Sequence, residues 1–130
     1  KQTILFLDEI HRFNKLQQDS LLPHTENGRI VLIGATTENP YYVLNNSLMS
    51  RCIGFEFKKL EKKDIKKVVD ICIEKIGVSF GNGISELIAE TSLGDARKAL
   101  NIVEILYLSG EYDKFEKAEK IIKILARRKK

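Results

Sequence analysis

Two apolar runs lie in the first forty residues, and a different apolar rhythm takes over after them. Ile4-Leu5-Phe6-Leu7 is bounded by polar and charged positions, and Ile30-Val31-Leu32-Ile33-Gly34-Ala35-Thr36 is a second, β-branched run. Continuous apolarity over such short spans predicts buried strands. Between the runs, Asn14 is a suitable cap for a helix carrying Leu16, Ser20 and Leu21 at helical spacing. Pro23 is expected to end or kink that helix, because it lacks an N–H and crowds the preceding turn. Asn27-Gly28 marks the following turn. Strand, helix, strand in this order predicts a right-handed crossover and a parallel sheet, with the second strand central and covered on both faces. Tyr41 to Asn45 reads as loop and Asn46 to Cys52 as a short helix. The alternation in Ile53-Gly54-Phe55-Glu56-Phe57 reads as a final strand.

From Lys58 onward the apolar positions follow helical spacing only. Ile65, Val68, Val69, Cys72, Ile73 and Ile76 form one stripe, with Lys and Asp opposite. A break at Gly77 to Gly83 precedes a short helix with Ile84, Leu87 and Ile88. Asp95 can cap a third helix carrying Ala96, Ala99, Leu100, Val103, Leu106 and Tyr107. Ala118, Ile121, Ile122 and Leu125 mark a fourth, which fades into Arg127-Arg128-Lys129-Lys130. The expected fold class is therefore α/β: residues 1–57 form a parallel-sheet part, residues 58–130 a small bundle, and the hinge falls near Phe57 to Leu60.

Composition narrows the picture only slightly. The 130 residues are 43% hydrophobic and 31% charged, an ordinary globular balance. No apolar run approaches a membrane span and no signal peptide is visible, so no membrane partner is expected. The chain opens on Lys1 and reaches a strand almost at once, as a piece of a longer protein would. Cys52 and Cys72 lack metal-ligand spacing and read as free thiols; His11 and His24 read as surface or packing residues. The net charge of +4 is uneven, with residues 1–57 slightly acidic and residues 58–130 basic. Lys58, Lys59, Lys62, Lys63, Lys66 and Lys67 could face phosphates, but their spacing fits a solvated helix face better.

The candidate chemistry sits where the strands end. The first strand delivers Asp8 and Glu9 to its C-terminal end, where open α/β sheets hold ligands. One carboxylate there can hold a hard cation such as Mg²⁺, and the other can polarise an attacking water. That is the division of labour in a Walker B pair of nucleotide hydrolases. The second strand delivers Thr36-Thr37-Glu38-Asn39 to the same side.

The motifs, taken in order, go further. Phe6-Leu7-Asp8-Glu9-Ile10-His11-Arg12-Phe13-Asn14-Lys15 is followed by Gly34-Ala35-Thr36-Thr37-Glu38-Asn39-Pro40, Leu48-Met49-Ser50-Arg51-Cys52, and Gly94-Asp95-Ala96-Arg97-Lys98-Ala99-Leu100-Asn101. This series resembles the replication-associated recombination protein A family, whose eukaryotic relative is the Werner helicase-interacting protein. The family consists of AAA+ ATPases similar to clamp-loader subunits and to RuvB. The resemblance implies the C-terminal half of an AAA+ core followed by a four-helix lid. It also implies ATP and Mg²⁺ as ligands. Asp8 then matches the residue near Mg²⁺, through water, and Glu9 the water activator. Asn39 matches sensor 1, which contacts the γ-phosphate or lytic water. Arg51 matches the arginine finger, serving a neighbouring subunit, and Arg97 matches sensor 2. Further implications are a homo-oligomer, DNA at forks or gaps, and single-strand-binding or other replication proteins as partners. The location implied is cytoplasmic and nucleoid-associated in a bacterium, or nuclear in a eukaryote.

One feature of the family is missing. No G-x-x-x-x-G-K-[ST] stretch occurs in these residues, so no backbone cradle or lysine for the phosphates can be named. The 130-residue chain alone is expected to be inactive. The alternatives are an ATPase-deficient binding subunit that donates Arg51 in trans, and a clamp-loader or RuvB-like AAA+ subunit.

Overall fold

The computed structural model describes residues 1–127. They divide into two compact units, Lys1–Glu56 and one that begins at Phe57.

In the first unit, β1 (Thr3–Leu7) and β2 (Ile30–Gly34) pair in parallel, with Thr3 opposite Ile30 and Leu7 opposite Gly34. They are joined by a 3-10 turn at Ile10–Arg12 and the helix α1 (Lys15–Glu26). Asn14 caps α1 as its position suggests: its side chain accepts from Gln17 N–H at 2.8 Å, and Gln17 Oε1 accepts from Asn14 N–H at 2.9 Å. Pro23 does not end the helix. The last turn continues to Glu26 and is closed by Asn27 N–H donating to Pro23 O at 3.1 Å. A proline near a helix end removes one donor only, and the carbonyls of its own turn still find partners.

Four other expectations are corrected. Tyr41 to Asn45 is not all loop, because α2 (Pro40–Val43) forms there, with Pro40 in the first turn and Asn39 as cap. A second short helix, α3 (Asn46–Met49), follows and ends before Cys52. Residues 53–57 form no strand, and Ile53, Phe55 and Phe57 are exposed. Alternation is a local signal, whereas a strand also needs a neighbour for its N–H and C=O groups. The sheet is likewise covered on one face only. Ile10, Leu44 and Leu48 form a small core against Leu7, Leu22 and Leu32, while Ile4, Phe6, Val31 and Ile33 on the other face are exposed.

The second unit is helical among the described residues: α4 (Lys62–Ile76), α5 (Ile84–Thr91), α6 (Ala96–Ser109) and α7 (Phe115–Arg127). The stripe read from the sequence is its core, with Ile65, Val69, Ile88, Ala99, Val103, Leu106 and Ile122 buried. Asp95 caps α6 by accepting from Lys98 N–H at 3.0 Å. The break before α5 is a close approach of backbones. Gly81 N–H donates to Tyr112 O at 2.8 Å, and a Cβ at Gly81 would lie 2.6 Å from Asp113 O. The basic run at 128–130 lies outside the described residues.

Candidate functional site

The parallel register brings the C-terminal ends of β1 and β2 side by side. The ladder is extended by Ala35 N–H donating to Leu7 O and Ile10 N–H donating to Ala35 O, both at 2.9 Å. The chain leaves β1 through Asp8 and Glu9, both exposed, and leaves β2 through Thr36 to Asn39. Glu9 adopts a left-handed conformation, φ 52° and ψ 48°, unusual for a residue with a side chain. Ile10 follows it into the core, and Gly34 makes the room, since a Cβ there would lie 2.9 Å from Ile10 Cδ1. The strand ends therefore hold the acidic turn from beneath.

Side-chain contacts fix much of this edge. Asp8 Oδ1 accepts from Glu9 N–H at 2.9 Å. Glu9 Oε1 meets Arg12 Nε at 2.7 Å, one turn along. Asn39 Oδ1 accepts from Tyr41 N–H at 3.0 Å, which caps α2 and leaves its amide N–H groups as the donors it can offer elsewhere. His11 reaches across to the other loop, with Nδ1 2.7 Å from Thr36 Oγ1 and Nε2 3.8 Å from Glu38 Oε2. The expectation that His11 is a surface or packing residue thus gives way to a polar tie. Its partner lies 25 residues away, too far for any local pattern to reveal.

Arg51 is not at this edge. It pairs with Glu26, the last residue of α1, with Nη2 2.9 Å from Oε2. Because α1 runs back along the sheet, that pair lies toward the strands' N-terminal ends. Burial pushes the neighbouring Cys52 thiol up from its ordinary pKa. Arg97 is in the second unit, exposed in the first turn of α6.

Gln18 is a residue that sequence patterns missed. It is 1% exposed and bonded through both ends of its amide. Nε2 donates to Phe13 O and Val43 O at 2.9 Å, and Oε1 accepts from Asn45 N–H at 2.7 Å. It pins α1 to the segment that leads into α3 and Arg51. A polar residue on a helix gives no sign of such burial until its partners are placed.

Among the described residues no cluster of three or more His, Cys, Asp or Glu could cage a metal ion. A single strand-end carboxylate such as Asp8 still fits Mg²⁺, which binds one or two carboxylates beside water and phosphate oxygens. Three of the six candidate lysines are in ion pairs: Lys62 with Glu90 at 3.4 Å, Lys63 with Glu61 at 3.4 Å, Lys66 with Asp70 at 2.9 Å. That agrees with a solvated, ion-paired face. No helix among the described residues is long and apolar enough to cross a membrane.

Comparison with known proteins supplies the context for this edge. The chain is 44% identical to replication-associated recombination protein A of Escherichia coli (strain K12) over 120 residues, which cover 87% of this chain. This chain carries a segment of the replication-associated recombination protein A family. The family relative in Bacillus subtilis is 42% identical over 115 residues, and the ATPase WRNIP1 of Dictyostelium discoideum is 46% identical over 112. The segment spans 27% of the E. coli relative and 13% of the Dictyostelium one. A solved structure of Thermotoga maritima RuvB superposes with a TM-score of 0.77 at 25% identity, covering 93% of this chain and 44% of that one. The fold is thus AAA+-like. No protein-family model matches the chain.

Proposed function

We propose that this chain is the Walker B to lid portion of a DNA-dependent AAA+ ATPase that maintains and repairs replication forks. The observation that carries the reading is the shared edge at which Asp8-Glu9 and Thr36-Asn39 leave adjacent parallel strands, in a chain of this ancestry. Asp8 would hold Mg²⁺, through water, and the ion would neutralise phosphate charge. Glu9 would take the proton of the attacking water as its oxygen bonds to the γ-phosphorus and the bond to the ADP oxygen breaks. Asn39 would aim its amide N–H groups at the γ-phosphate or that water. Arg97 would contact the nucleotide of its own subunit from the lid.

Arg51 would act across an interface between copies. A guanidinium offers two parallel donors to phosphate oxygens and keeps its charge. Its place beside Glu26 supports service to a neighbour over service to its own Glu9. Domain roles follow: residues 1–57 as the later part of the ATPase core and residues 58–130 as the lid. DNA at forks or gaps, and single-strand-binding or other replication proteins, are the proposed partners, which places the protein where DNA is. Because these 130 residues contain no G-x-x-x-x-G-K-[ST], the chain alone is proposed not to hydrolyse ATP.

The test is ATP turnover by the product of the complete reading frame. Glu9→Gln should bind ATP and fail to hydrolyse it. Arg51→Ala should also be inactive alone, and mixing the two variants should restore activity at interfaces that combine an intact Glu9 with an intact Arg51. Normal hydrolysis by both variants would remove the roles given to Glu9 and Arg51, and absence of turnover in the unsubstituted complete protein would turn the reading into that of a binding subunit.

A further inference from the structure

Of the side chains at the strand-end edge, His11 joins the two loops, and no step proposed above uses it. Its ring is 15% exposed and sits on the 3-10 turn two residues after Glu9. Its Nδ1 lies 2.7 Å from Thr36 Oγ1, three residues before Asn39. Thr36 Oγ1 also accepts from Glu38 N–H at 3.0 Å. Thr36 Oγ1 keeps a second lone pair as well as its own hydrogen, so it can meet Nδ1 as acceptor or as donor. Nε2 faces Glu38 Oε2 at 3.8 Å. One imidazole thus spans the turn that carries Glu9 and the loop that carries Asn39.

We propose that His11 is a positioning residue that sets Glu9 and Asn39 in register with each other through Thr36. The proposal rests on the ATPase reading above. Two observations show why the edge needs such a tie. Glu9 is held at a positive φ that a residue with a side chain avoids unless its neighbours enforce it. Ile10 anchors the turn from the core side, and His11 is the anchor on the other loop. The backbone ladder ends at Ala35, so beyond it the spacing of the two loops depends on side chains. A loose tie would leave nucleotide binding intact and misplace the water relative to the γ-phosphate, which lowers the chemical step selectively.

The test uses the product of the complete reading frame. His11→Ala and Thr36→Val should each lower kcat by roughly ten- to a hundredfold, with ATP affinity unchanged and the protein still folded at the assay temperature. The double variant should be no slower than the worse single one, because both remove the same tie. Thr36→Ser, which keeps the hydroxyl, should restore the rate. In the ¹⁵N-labelled 130-residue chain, the His11 Nδ1 signal should report a hydrogen bond that Thr36→Val removes. The proposal is overturned if kcat is unchanged, if the two substitutions act additively, if ATP affinity falls together with kcat, or if Thr36→Val leaves the ring signals alone. Glu9→Gln separates the two ideas. If it still hydrolyses ATP, the reading of Glu9 as the water activator, on which the tie rests, has failed; if it does not and the His11 and Thr36 variants run normally, only the tie has failed.

Discussion

Arg51 Nη2 meets Glu26 Oε2 at 2.9 Å at the end of the first unit away from Asp8 and Glu9. Glu26 closes a helix of 12 residues that starts near the exit of β1 and returns to the entry of β2. At 1.5 Å per residue such a helix is roughly 18 Å long, well beyond the contact distance a guanidinium needs. An arginine placed there is available to something outside its own unit.

Removal of Arg51 should therefore separate stability from activity. The pair with Glu26 is half-exposed on both sides, and exposed ion pairs contribute about 0–1 kcal/mol. Arg51→Ala should shift a urea unfolding midpoint little, while turnover by the complete protein should fall by roughly 10³ to 10⁵. A large loss of stability would make Arg51 a structural residue.

Gln18→Leu should be costly although the volumes are similar. It removes three hydrogen bonds and leaves the Asn45 N–H and the Phe13 and Val43 carbonyls without that partner. An orphaned buried group costs about 1–3 kcal/mol. Chemical denaturation of the chain should show a loss of at least that order, and amide exchange at Asn45 should accelerate. A neutral result would mean that water replaces the amide.

Gly81→Ala should destabilise the second unit. Its Cβ would lie 2.6 Å from the Asp113 carbonyl oxygen, which is backbone and cannot rotate aside. The loop before α7 must move, at about 1–3 kcal/mol for a forced shift of this kind. Thermal melting of the variant reads it directly, and an unchanged transition would show that the loop yields freely.

The Lys66–Asp70 pair makes a prediction about acid. Burial works to raise the Asp70 carboxyl, but hydrogen bonds from Lys66 and Ser85 and the charge of Lys66 outweigh it, and its pKa lies below the usual 3.8. Its contribution is therefore complete above that ordinary value and is lost as pH falls through the lower folded one. Lys66, raised mainly by the hydrogen bond to Asp70 and next by its charge, contributes below its unfolded value and loses this as pH rises through the folded one. Asp70→Asn should flatten the acid limb of stability against pH. An identical limb in the variant would show that the pair does not matter to folding.

Much of this was legible from local pattern. The strands follow from short apolar runs, the caps at Asn14 and Asp95 from side-chain oxygens that accept free backbone N–H groups, and the core stripe of Ile65, Val69 and Ile73 from spacing, because burial on one face repeats with the period of the element. The acidic pair Asp8-Glu9 was legible because it directly follows an apolar run. Local pattern failed at Pro23, where the helix ran on for one turn, and at Ile53 to Phe57, where alternation had no neighbouring strand to pair with.

By itself the amino-acid sequence determined the two strands and the five longer helices, which residues carry charge at the strand ends, and the ancestry of the segment. These depend on side-chain chemistry and on periodicities a few residues long. The tertiary structure alone decided that His11 meets Thr36, that Gln18 is buried and fully engaged, and that Arg51 stands beside Glu26. Each of these joins residues 25 to 27 positions apart. Such contacts exist only once the parallel register has brought two loops to one edge and α1 has carried its own end back to the other.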